Sequence, residues 1–331
     1  MLKSIEICAG AGGQALGLEM AGFTHAVLVE YEEDYCNCLR NNRPYWNVKC
    51  KDVREFDGKP YHNEIDLLSG GVPCPPFSVA GKQLGNDDER DLFPEMLRLV
   101  EEVNPRAVMI ENVRGLLDPK FKEYRTAIVN RLKDLNYSVH VKLLNASDFG
   151  VPQLRPRVII VGIRNDIEDT FCFPEIKVRI RTVGECLSDL MGANGWHGLE
   201  NWKKMANKIA PTLVGGSKKH GGPDLGPTRA RKAWAEMYVD GKGIADTAPS
   251  ENFEGMPRLT PRMLARIQGF PDDWQFGKRK TVACRMIGNA FPPPVAKEVG
   301  LQIASVLNKK DRIENEKPYI SRAQIVPSLF D

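Results

Sequence analysis

Cys74 lies in a segment whose neighbours restrict its backbone, Gly71-Val72-Pro73-Cys74-Pro75-Pro76-Phe77-Ser78. Proline fixes φ and removes the backbone N–H donor, so the segment is predicted to be neither a helix nor a central strand. It follows the apolar run Ile65–Ser69, and a rigid loop after a strand holds a thiol in one direction. A lone cysteine is more often a buried apolar residue than a chemical one, but these flanks predict a nucleophile.

A carboxylate and two arginines lie next to other apolar runs. Glu111 directly follows the apolar run Ala107–Ile110. If this run forms a strand next to Ile65–Ser69, Glu111 lies at its carboxyl end, in the same crevice as Cys74. Arg155 and Arg157 are two residues apart, so both point to one face if the backbone is extended. Both are therefore candidates for the same site. The alternative is that they only bind phosphate or carboxylate groups.

A glycine-rich turn, residues 10–13, follows the apolar run Ser4–Cys8 and precedes a helix-like stretch. Such a turn lets a nucleotide-like ligand approach the backbone at the N-terminus of a helix. Glu30 and Asp52 end the next two predicted strands, where carboxylates can bind ribose hydroxyls. The turn lacks the Gly-x-Gly-x-x-Gly pattern of dinucleotide-binding proteins, which argues against a nicotinamide dehydrogenase.

Short apolar runs alternate with helix-like stretches through the first half of the chain. The predicted strands are Ser4–Cys8, Ala26–Glu30, Val48–Asp52, Ile65–Ser69 and Ala107–Glu111, and the predicted helices are Gln14–Ala21, 34–41, Asp91–Val103 and Phe121–Leu135. This alternation predicts an α/β protein with a doubly wound, mostly parallel sheet. Ser138–Leu144 and Arg157–Ile163 have no helix between them, which predicts an antiparallel pair that closes the sheet.

The composition indicates a soluble protein of the cytoplasm with a real core. Of 331 residues, 42% are hydrophobic and 27% charged, which makes disorder a poor interpretation. No apolar run reaches the roughly 20 residues needed to span a bilayer, and no signal segment is evident. The eight cysteines form no Cys-x-x-Cys pair, so we expect reduced thiols and no metal site.

The second half of the chain differs in texture and charge. Residues 192–257 are rich in Gly, Pro, Lys and Trp with little periodicity, and periodicity returns in Thr260–Gly269 and Val295–Leu307. Residues 177–285 contain 19 Lys and Arg against 11 Asp and Glu, a net +8, although the whole chain carries only +3. A basic segment suits a polyanionic partner. A solvated, lysine-rich face explains the charge equally well.

With these pieces in order, the chain resembles the bacterial DNA cytosine-5 methyltransferases of restriction–modification systems. The resemblance covers roughly residues 3–165 and 257–308, in the order and near the spacing of the family. It is carried by six blocks: 9–13, 71–78, 111–113, 153–157, 258–271 (RLTPRMLARIQGFP) and 288–290 (GNA).

The resemblance implies a catalytic role for four residues. Cys74 resembles the thiolate that attacks carbon 6 of cytosine, which makes carbon 5 nucleophilic. Glu111 resembles the acid that holds ring nitrogen 3 and the exocyclic amine. Arg157 resembles the group that contacts oxygen 2 of the ring, with Arg155 beside it. The target base must be flipped out of the duplex to reach such a pocket.

The resemblance also implies S-adenosyl-L-methionine as cofactor and double-stranded DNA as partner. The implied fold is the Rossmann-like fold of S-adenosylmethionine-dependent methyltransferases with a smaller, irregular target-recognition domain. Residues at the family's cofactor positions are Cys8, Ala9, Gly10, Gly12, Gly13, Glu30, Asp52, Val53, Pro73, Asn289 and Ala290. We expect a monomer without an obligate protein partner, associated with the nucleoid and paired with a cognate restriction endonuclease.

The domain organisation follows from the position of these blocks. Residues 1–174 are predicted to form the catalytic and cofactor-binding domain, 175–257 the target-recognition domain, 258–308 a return segment that completes the catalytic domain, and 309–331 a C-terminal tail. The predicted DNA contacts are Ser78, Thr212, Lys218, Lys219, Arg229 and Arg231. The last four lie in basic segments interpreted as loops that enter the major groove, and phosphate contact without base readout is the alternative.

Two other functions stay open at this point. A methyltransferase that acts on transfer RNA has similar blocks, and basic charge does not separate the two substrates. The sizeable recognition segment favours DNA. A catalytically silent DNA-binding relative is the non-enzyme alternative, and the presence of Cys74, Glu111 and Arg157 argues against it.

Overall fold

The computed structural model describes residues 1–73, 91–176, 178–215 and 224–308. Its residues cluster into two compact units. Among the described residues, the first unit contains 1–144, 156–175 and those from 296 onward, and the second contains 145–155 and 176–295. The contacts thus group 258–295 with 176–257, whereas the functional regions drawn from the sequence join 258–308 to the catalytic domain. The functional division stays a prediction.

The first unit is built on one seven-stranded sheet in the order β3-β2-β1-β4-β5-β7-β6. Strands β1 to β5 are joined by parallel pairings, and β7 runs antiparallel to β5. The predicted doubly wound, mostly parallel α/β fold is confirmed. The strands are β1 Leu2–Ile7, β2 Phe23–Glu30, β3 Val48–Cys50, β4 Leu67–Gly70, β5 Ala107–Val113, β6 Tyr137–Asn145 and β7 Pro156–Arg164.

Ten α-helices are present in the described residues. The predicted ones in the first half of the chain begin and end within two residues of the observed positions. The helices are α1 Gly13–Met20, α2 Glu33–Asn42, α3 Phe93–Val103, α4 Lys122–Asp134, α5 Val183–Met191, α6 Leu199–Met205, α7 Thr228–Ala235, α8 Pro261–Gln268, α9 Lys280–Asn289 and α10 Pro293–Asn308. None of these helices has the length and apolar character needed to cross a lipid bilayer.

The core of the first unit lies on both faces of the parallel strands. β4 and β5 contribute Leu68, Val108 and Ile110, each with no exposed surface. Parallel strands covered on both faces read as continuous apolar runs, which is why these strands were visible in the sequence. In β4 and β5 the first polar residues, Ser69 and Glu111, come toward the carboxyl end of the strand.

The regular elements of the second unit are mainly the helices α5 to α9, and one prediction about this unit is wrong. Residues 228–232 were interpreted as a loop, but they form the first turns of α7. Trp234 in this helix and Met237 just after it are buried, so α7 is fixed by apolar contacts. The run Thr-Arg-Ala-Arg-Lys consists largely of good helix formers. A single short helix has too few turns for its apolar period to stand out among glycines and charges.

Candidate active site and cofactor site

The strand order reverses between β1 and β4, and this is where an open α/β sheet binds ligands. β1 leads to β2 and β3 on one side, whereas β4 and β5 lie on the other. At the end of β4 the chain approaches β1 so closely that a Cβ added at Gly70 would lie 2.8 Å from the carbonyl oxygen of Ile7. The glycine therefore permits the close approach at the edge that receives the predicted site residues.

Glu111 and Arg157 form an ion pair at the carboxyl end of β5. Arg157 Nε lies 2.6 Å from Glu111 Oε1, and the side chains are 12% and 13% exposed. β5 and β7 pair antiparallel with Val113 opposite Arg157, which brings the two side chains together. Arg157 Nη1 also donates to the Pro156 carbonyl at 2.9 Å. The predicted association of these two residues is present, and their catalytic role stays a prediction.

The Glu111 carboxylate faces the segment that leads to Cys74. A Cβ added at Gly71 would lie 3.0 Å from Glu111 Oε2. Asn112, which is buried, donates from Nδ2 to the Val72 carbonyl at 2.9 Å. Asn112 therefore ties the end of β5 to the residues before Pro73. Asn112 is a further residue of this site, and its place between Glu111 and Val113 is the sequence signal that points to it.

Cys74 and Ser78 lie outside the described residues, as do Lys218 and Lys219. A hydrogen bond connects the residues on the two sides of segment 74–90: Leu92 N donates to the carbonyl oxygen of Pro73 at 3.2 Å. Pro73 itself is exposed. Asp91 accepts from Tyr124 Oη at 2.6 Å and from Phe93 N at 3.0 Å. The residues that flank the segment are thus held at the carboxyl end of β4 and at the start of α3.

The glycine-rich turn is held by the buried Glu30 carboxylate. Gly10 N donates to Glu30 Oε2 at 2.8 Å, and the N–H groups of Tyr31 and Glu32 donate to Oε1 at 2.9 Å. Burial raises the pKa of Glu30, against the effect of these N–H donors. Gly10 and Gly12 have φ of 56° and 84°, in the left-handed region that glycine tolerates best. The carboxylate keeps one of its about four acceptor sites for a ligand hydroxyl.

Two other predicted cofactor residues adopt special positions on the same edge. Cys8 itself has a φ of 53°, and burial raises the pKa of its thiol, so it is no thiolate. Ala9 is buried between Cys8 and the turn, and its N–H donates to the Val29 carbonyl at 3.1 Å. Ala9 therefore joins the turn to β2 beside Glu30.

Asp52 lies two residues beyond the end of β3 and caps a short 3₁₀ helix. Its carboxylate accepts from Arg54 N and from Arg54 Nη1, each at 2.9 Å, and remains 40% exposed. Val53 beside it is buried. Arg98 on α3 donates to the carbonyls of Val53 and Phe56, both at 3.1 Å. Arg98 thereby holds the turn, although the two are more than 40 residues apart in sequence and no local pattern signals the contact.

The residues on this edge fit a nucleoside-containing cofactor. A buried carboxylate and a half-exposed one lie at the ends of neighbouring strands, and the glycine-rich turn leads into α1. Tyr31, directly after Glu30, is 66% exposed and offers an aromatic face at the same strand end. No sequence pattern signals the exposure of this ring, which is visible only in the structure.

Comparison with known proteins agrees with this geometry. The family described as C-5 cytosine-specific DNA methylase matches residues 2–305. The Type II methyltransferase M.NgoMIV of Neisseria gonorrhoeae is 56% identical over 93% of this chain and 99% of its own length. M.NaeI of Lentzea aerocolonigenes is 53% identical over 93% of this chain and 76% of its own length. A DNMT2 variant from Spodoptera frugiperda shares the fold at a TM-score of 0.67, with 16% identity over 92% of this chain and 100% of that one.

The chain belongs to the C-5 cytosine-specific DNA methylase family. The resemblance drawn from the sequence blocks is confirmed, and with it the activity of a DNA cytosine-5 methyltransferase that uses S-adenosylmethionine. The bound cofactor supplies the methyl group.

In the second unit of this methylase, Arg155 is almost completely buried, with 1% of its surface exposed. It donates to the carbonyl oxygens of Leu213, Gly288 and Ala290 at 2.7–3.0 Å. Arg157 makes its contacts in the first unit, so the two arginines contribute to different units. A catalytic role for Arg155 stays a prediction.

The predicted DNA contacts that the structure describes also lie in the second unit of the methylase. Thr212 donates from Oγ1 to the Leu154 carbonyl at 2.5 Å. Arg229 is exposed on α7, whereas Arg231 is half-buried and packs beside Gly241, where an added Cβ would lie 3.2 Å from Arg231 Cγ. Residues two apart on a helix do not share a face. The two arginines therefore differ in exposure and face different sides of α7, so a partner would contact them differently.

Proposed function

We propose that this methylase modifies one cytosine within a specific double-stranded DNA sequence, as the modification enzyme of a restriction–modification system. The observation that carries the proposal is the Glu111–Arg157 pair beside Gly71, at the strand end from which the chain continues to Cys74. The 53–56% identity to two Type II methyltransferases over most of their lengths supports the restriction–modification context.

In the proposed reaction, Cys74 Sγ as thiolate forms a bond to carbon 6 of the flipped-out cytosine. The electron pair of the carbon 5–carbon 6 double bond shifts so that carbon 5 becomes nucleophilic. Carbon 5 would then take the methyl group from the sulfonium of S-adenosylmethionine, whose sulfur–methyl bond breaks so that S-adenosylhomocysteine leaves. Loss of the carbon 5 proton to a base then restores the double bond and expels the Cys74 thiolate. A carboxyl group at Glu111 holds ring nitrogen 3 and the exocyclic amine while charge develops on the ring.

Arg157 has two functions in this proposal. Its ion pair with Glu111 fixes the carboxyl group, and its guanidinium fork binds oxygen 2 of the base. Both side chains are nearly buried, so water competes little with these hydrogen bonds. Tyr31 is proposed to contact the adenine of the cofactor and Glu30 its ribose.

The experiment that tests the function is methylation sequencing of DNA from cells that express this chain. We expect 5-methylcytosine at one position of a single short motif, and no such motif from cells expressing the Cys74→Ala variant. Sequencing of transfer RNA from the same cells tests the RNA alternative. Modified tRNA with unmodified DNA would overturn the proposal.

We further propose that the enzyme acts as a monomer on nucleoid DNA and that a restriction endonuclease cuts the same motif. The Type II names of the relatives support the pairing with an endonuclease. One base is flipped out at each target site, and one copy of the chain contains all the residues that are proposed to act on it. Analytical ultracentrifugation with and without DNA tests the stoichiometry.

Replacement of Glu30 by Ala is expected to weaken binding of S-adenosylhomocysteine by roughly 10- to 100-fold, since hydrogen bonds to charged groups contribute about 1.5–3 kcal/mol each. The reason is the loss of both a ribose acceptor and the anchor of Gly10. Asp52→Ala is expected to act in the same direction and more weakly, because Asp52 is more exposed. Calorimetric titration measures both affinities.

Glu33→Ala provides the matched control for these variants, because Glu33 is an exposed carboxylate on α2. Its affinity for S-adenosylhomocysteine should match the wild type, and all three variants should bind DNA normally. Unchanged cofactor affinity in both the Glu30 and Asp52 variants would mean that the cofactor binds elsewhere.

Replacement of Arg229 by Ala is expected to relax sequence preference at one base position, with a loss of roughly 1–3 kcal/mol of discrimination there. Arg229 is exposed on α7, whereas Arg231 is packed against Gly241, so Arg229 is the better candidate for base readout. Lys218→Ala and Lys219→Ala should instead weaken binding to all DNA sequences alike. Each should also lower the slope of log affinity against log salt concentration by about one unit.

Methylation of a randomised-site library by each variant, at several salt concentrations, separates base readout from phosphate contact. Lys204→Ala removes an exposed positive charge from α6 and serves as the control for net charge. The recognition surface lies elsewhere if sequence preference and salt dependence are unchanged in all four alanine variants, those of Arg229, Arg231, Lys218 and Lys219.

A further inference from the structure

A buried arginine joins three segments of the second unit that are far apart in sequence. Arg155 Nη1 donates to the Leu213 carbonyl at 2.9 Å, and Nη2 donates to the carbonyls of Gly288 and Ala290 at 2.7 and 3.0 Å. Leu213 directly follows Thr212, which is a proposed DNA contact. Gly288 and Ala290 flank Asn289, which is a proposed cofactor residue. One guanidinium thus connects the segment that carries Thr212 with the turn that carries Asn289.

Two buried glutamines extend the same network. Gln153 accepts from Leu213 N at 2.9 Å through Oε1 and donates to Gln268 Oε1 at 2.7 Å. Gln268 in turn donates to the Ala290 carbonyl. Both glutamines are fully buried. The Leu213 segment and the Ala290 turn are therefore connected twice, once through Arg155 and once through the glutamine pair.

The two connected segments also touch directly, backbone to backbone. A Cβ added at Gly288 would lie 2.6 Å from Gly215 Cα, and one added at Gly215 would lie 2.5 Å from the carbonyl oxygen of Arg285. Real Cβ atoms do not approach backbone so closely. Movement of Leu213–Gly215 must therefore be transmitted to the end of α9, or the contact must open.

The charge of Arg155 suits its position at the end of α9. That helix ends at Asn289, and the last carbonyl groups of a helix lack partners within it and carry the negative end of its dipole. A guanidinium satisfies several such carbonyls at once, because its donors form a rigid fork. A lysine offers a point charge with no fork and cannot reach Leu213 and both carbonyls in the same arrangement.

We infer that Arg155 is a positioning residue that couples target binding to cofactor binding by holding the Thr212–Gly215 segment against the Gly288–Ala290 turn. The inference rests on the proposed function, which assigns Thr212 to DNA and Asn289 to the cofactor. When DNA orders the Thr212–Gly215 segment, it also orders the Gly288–Ala290 turn. DNA and cofactor therefore each strengthen the binding of the other. Thermodynamic linkage requires the two effects to be equal.

The test measures this mutual strengthening directly. The dissociation constant of S-adenosylhomocysteine is determined with and without a saturating duplex that carries the motif mapped by methylation sequencing, and the ratio is the coupling factor. We expect a factor of at least about fivefold for the wild type, since coupling of about 5- to 150-fold is typical. Arg155→Lys and Arg155→Gln should bring it close to one, with turnover at saturating substrates reduced as well.

Gly215→Ala provides a second variant that keeps Arg155 and should also lower the coupling factor, because the added methyl group separates the two backbones. It keeps the test decisive if Arg155→Gln does not fold. Arg266→Lys is the matched control. Arg266 is also buried in the second unit, with its side chain 3% exposed, but it binds Asp189, Asp272 and the Cys186 carbonyl. It should lose stability and keep the wild-type coupling.

The inference is overturned if the wild type shows no coupling, or if Arg155→Lys and Gly215→Ala keep the wild-type factor within twofold. Failure of the proposed function is a separate result, because it would appear as absence of methylated motif in DNA from cells expressing the wild type. Equal loss of coupling in Arg266→Lys would also count against the inference, since it would make the effect one of general stability.

Discussion

The Cys74→Ala variant is expected to transfer no measurable methyl group to DNA and to bind S-adenosylhomocysteine as the wild type does. The thiolate is the only group proposed to form a bond to carbon 6, and without that bond carbon 5 is too weak a nucleophile to attack the methyl donor. Cofactor affinity should stay within about twofold, because the proposed cofactor contacts lie at Glu30 and Asp52. Transfer of radiolabelled methyl groups and calorimetric titration measure the two properties.

A covalent trap and a thiol control make this result specific. A duplex with 5-fluorocytosine at the target position should form a stable adduct with the wild type, because no proton can leave carbon 5. The Cys74→Ala variant should form none, whereas Cys172→Ala, which removes an exposed free cysteine, should trap and turn over normally. A wild type that fails to trap, or an active Cys74→Ala variant, would remove the covalent mechanism.

The catalytic half of the fold was predictable because its strands are buried on both faces. β4 and β5 appear in the sequence as apolar runs, Leu67-Leu68 before Ser69-Gly70 and Ala107–Ile110 before Glu111. Parallel strands expose their first polar residues at one edge. The placement of Glu111 near the segment leading to Cys74 therefore followed from sequence order alone, before any contact was known.

Contacts between residues far apart in sequence were not predictable in the same way. Arg155 was expected beside Arg157 because the two are separated by one residue, but its bonds go to residues 58, 133 and 135 positions away. Arg98 likewise reaches Val53 and Phe56 across more than 40 positions. No local pattern encodes which carbonyl a long side chain will meet.

Short elements with mixed faces were also misjudged. α7 carries three basic residues in its first five positions, and its one apolar anchor inside the helix, Trp234, comes only near its end. Asp52 was expected to end a strand, but β3 stops at Cys50 and the carboxylate caps the next turn instead. In both places side-chain hydrogen bonding or packing decides the backbone, and neither leaves a periodic signal.

The Glu111→Gln variant is expected to lower the rate of methyl transfer by on the order of 10²-fold or more, since positioned proton donation contributes about that much. An amide cannot donate a proton to ring nitrogen 3, and it also leaves the guanidinium of Arg157, 12% exposed, without its charged partner. DNA affinity should change far less, because the flipped base is the only part of the DNA that Glu111 is proposed to contact. Single-turnover rates across a range of pH, with saturating DNA and cofactor, measure the effect.

Arg157→Lys, made alone and together with Glu111→Gln, separates the two proposed functions of Arg157. If Arg157 serves mainly to fix Glu111, the double variant should be little slower than Glu111→Gln alone, because residues that act as a unit have effects that do not add. If Arg157 also binds oxygen 2 of the base, the double variant should be slower again, since lysine lacks the planar fork. A Glu111→Gln enzyme with nearly wild-type turnover at every pH would instead make the carboxylate a structural cap of β5, held by Arg157 and without a chemical role.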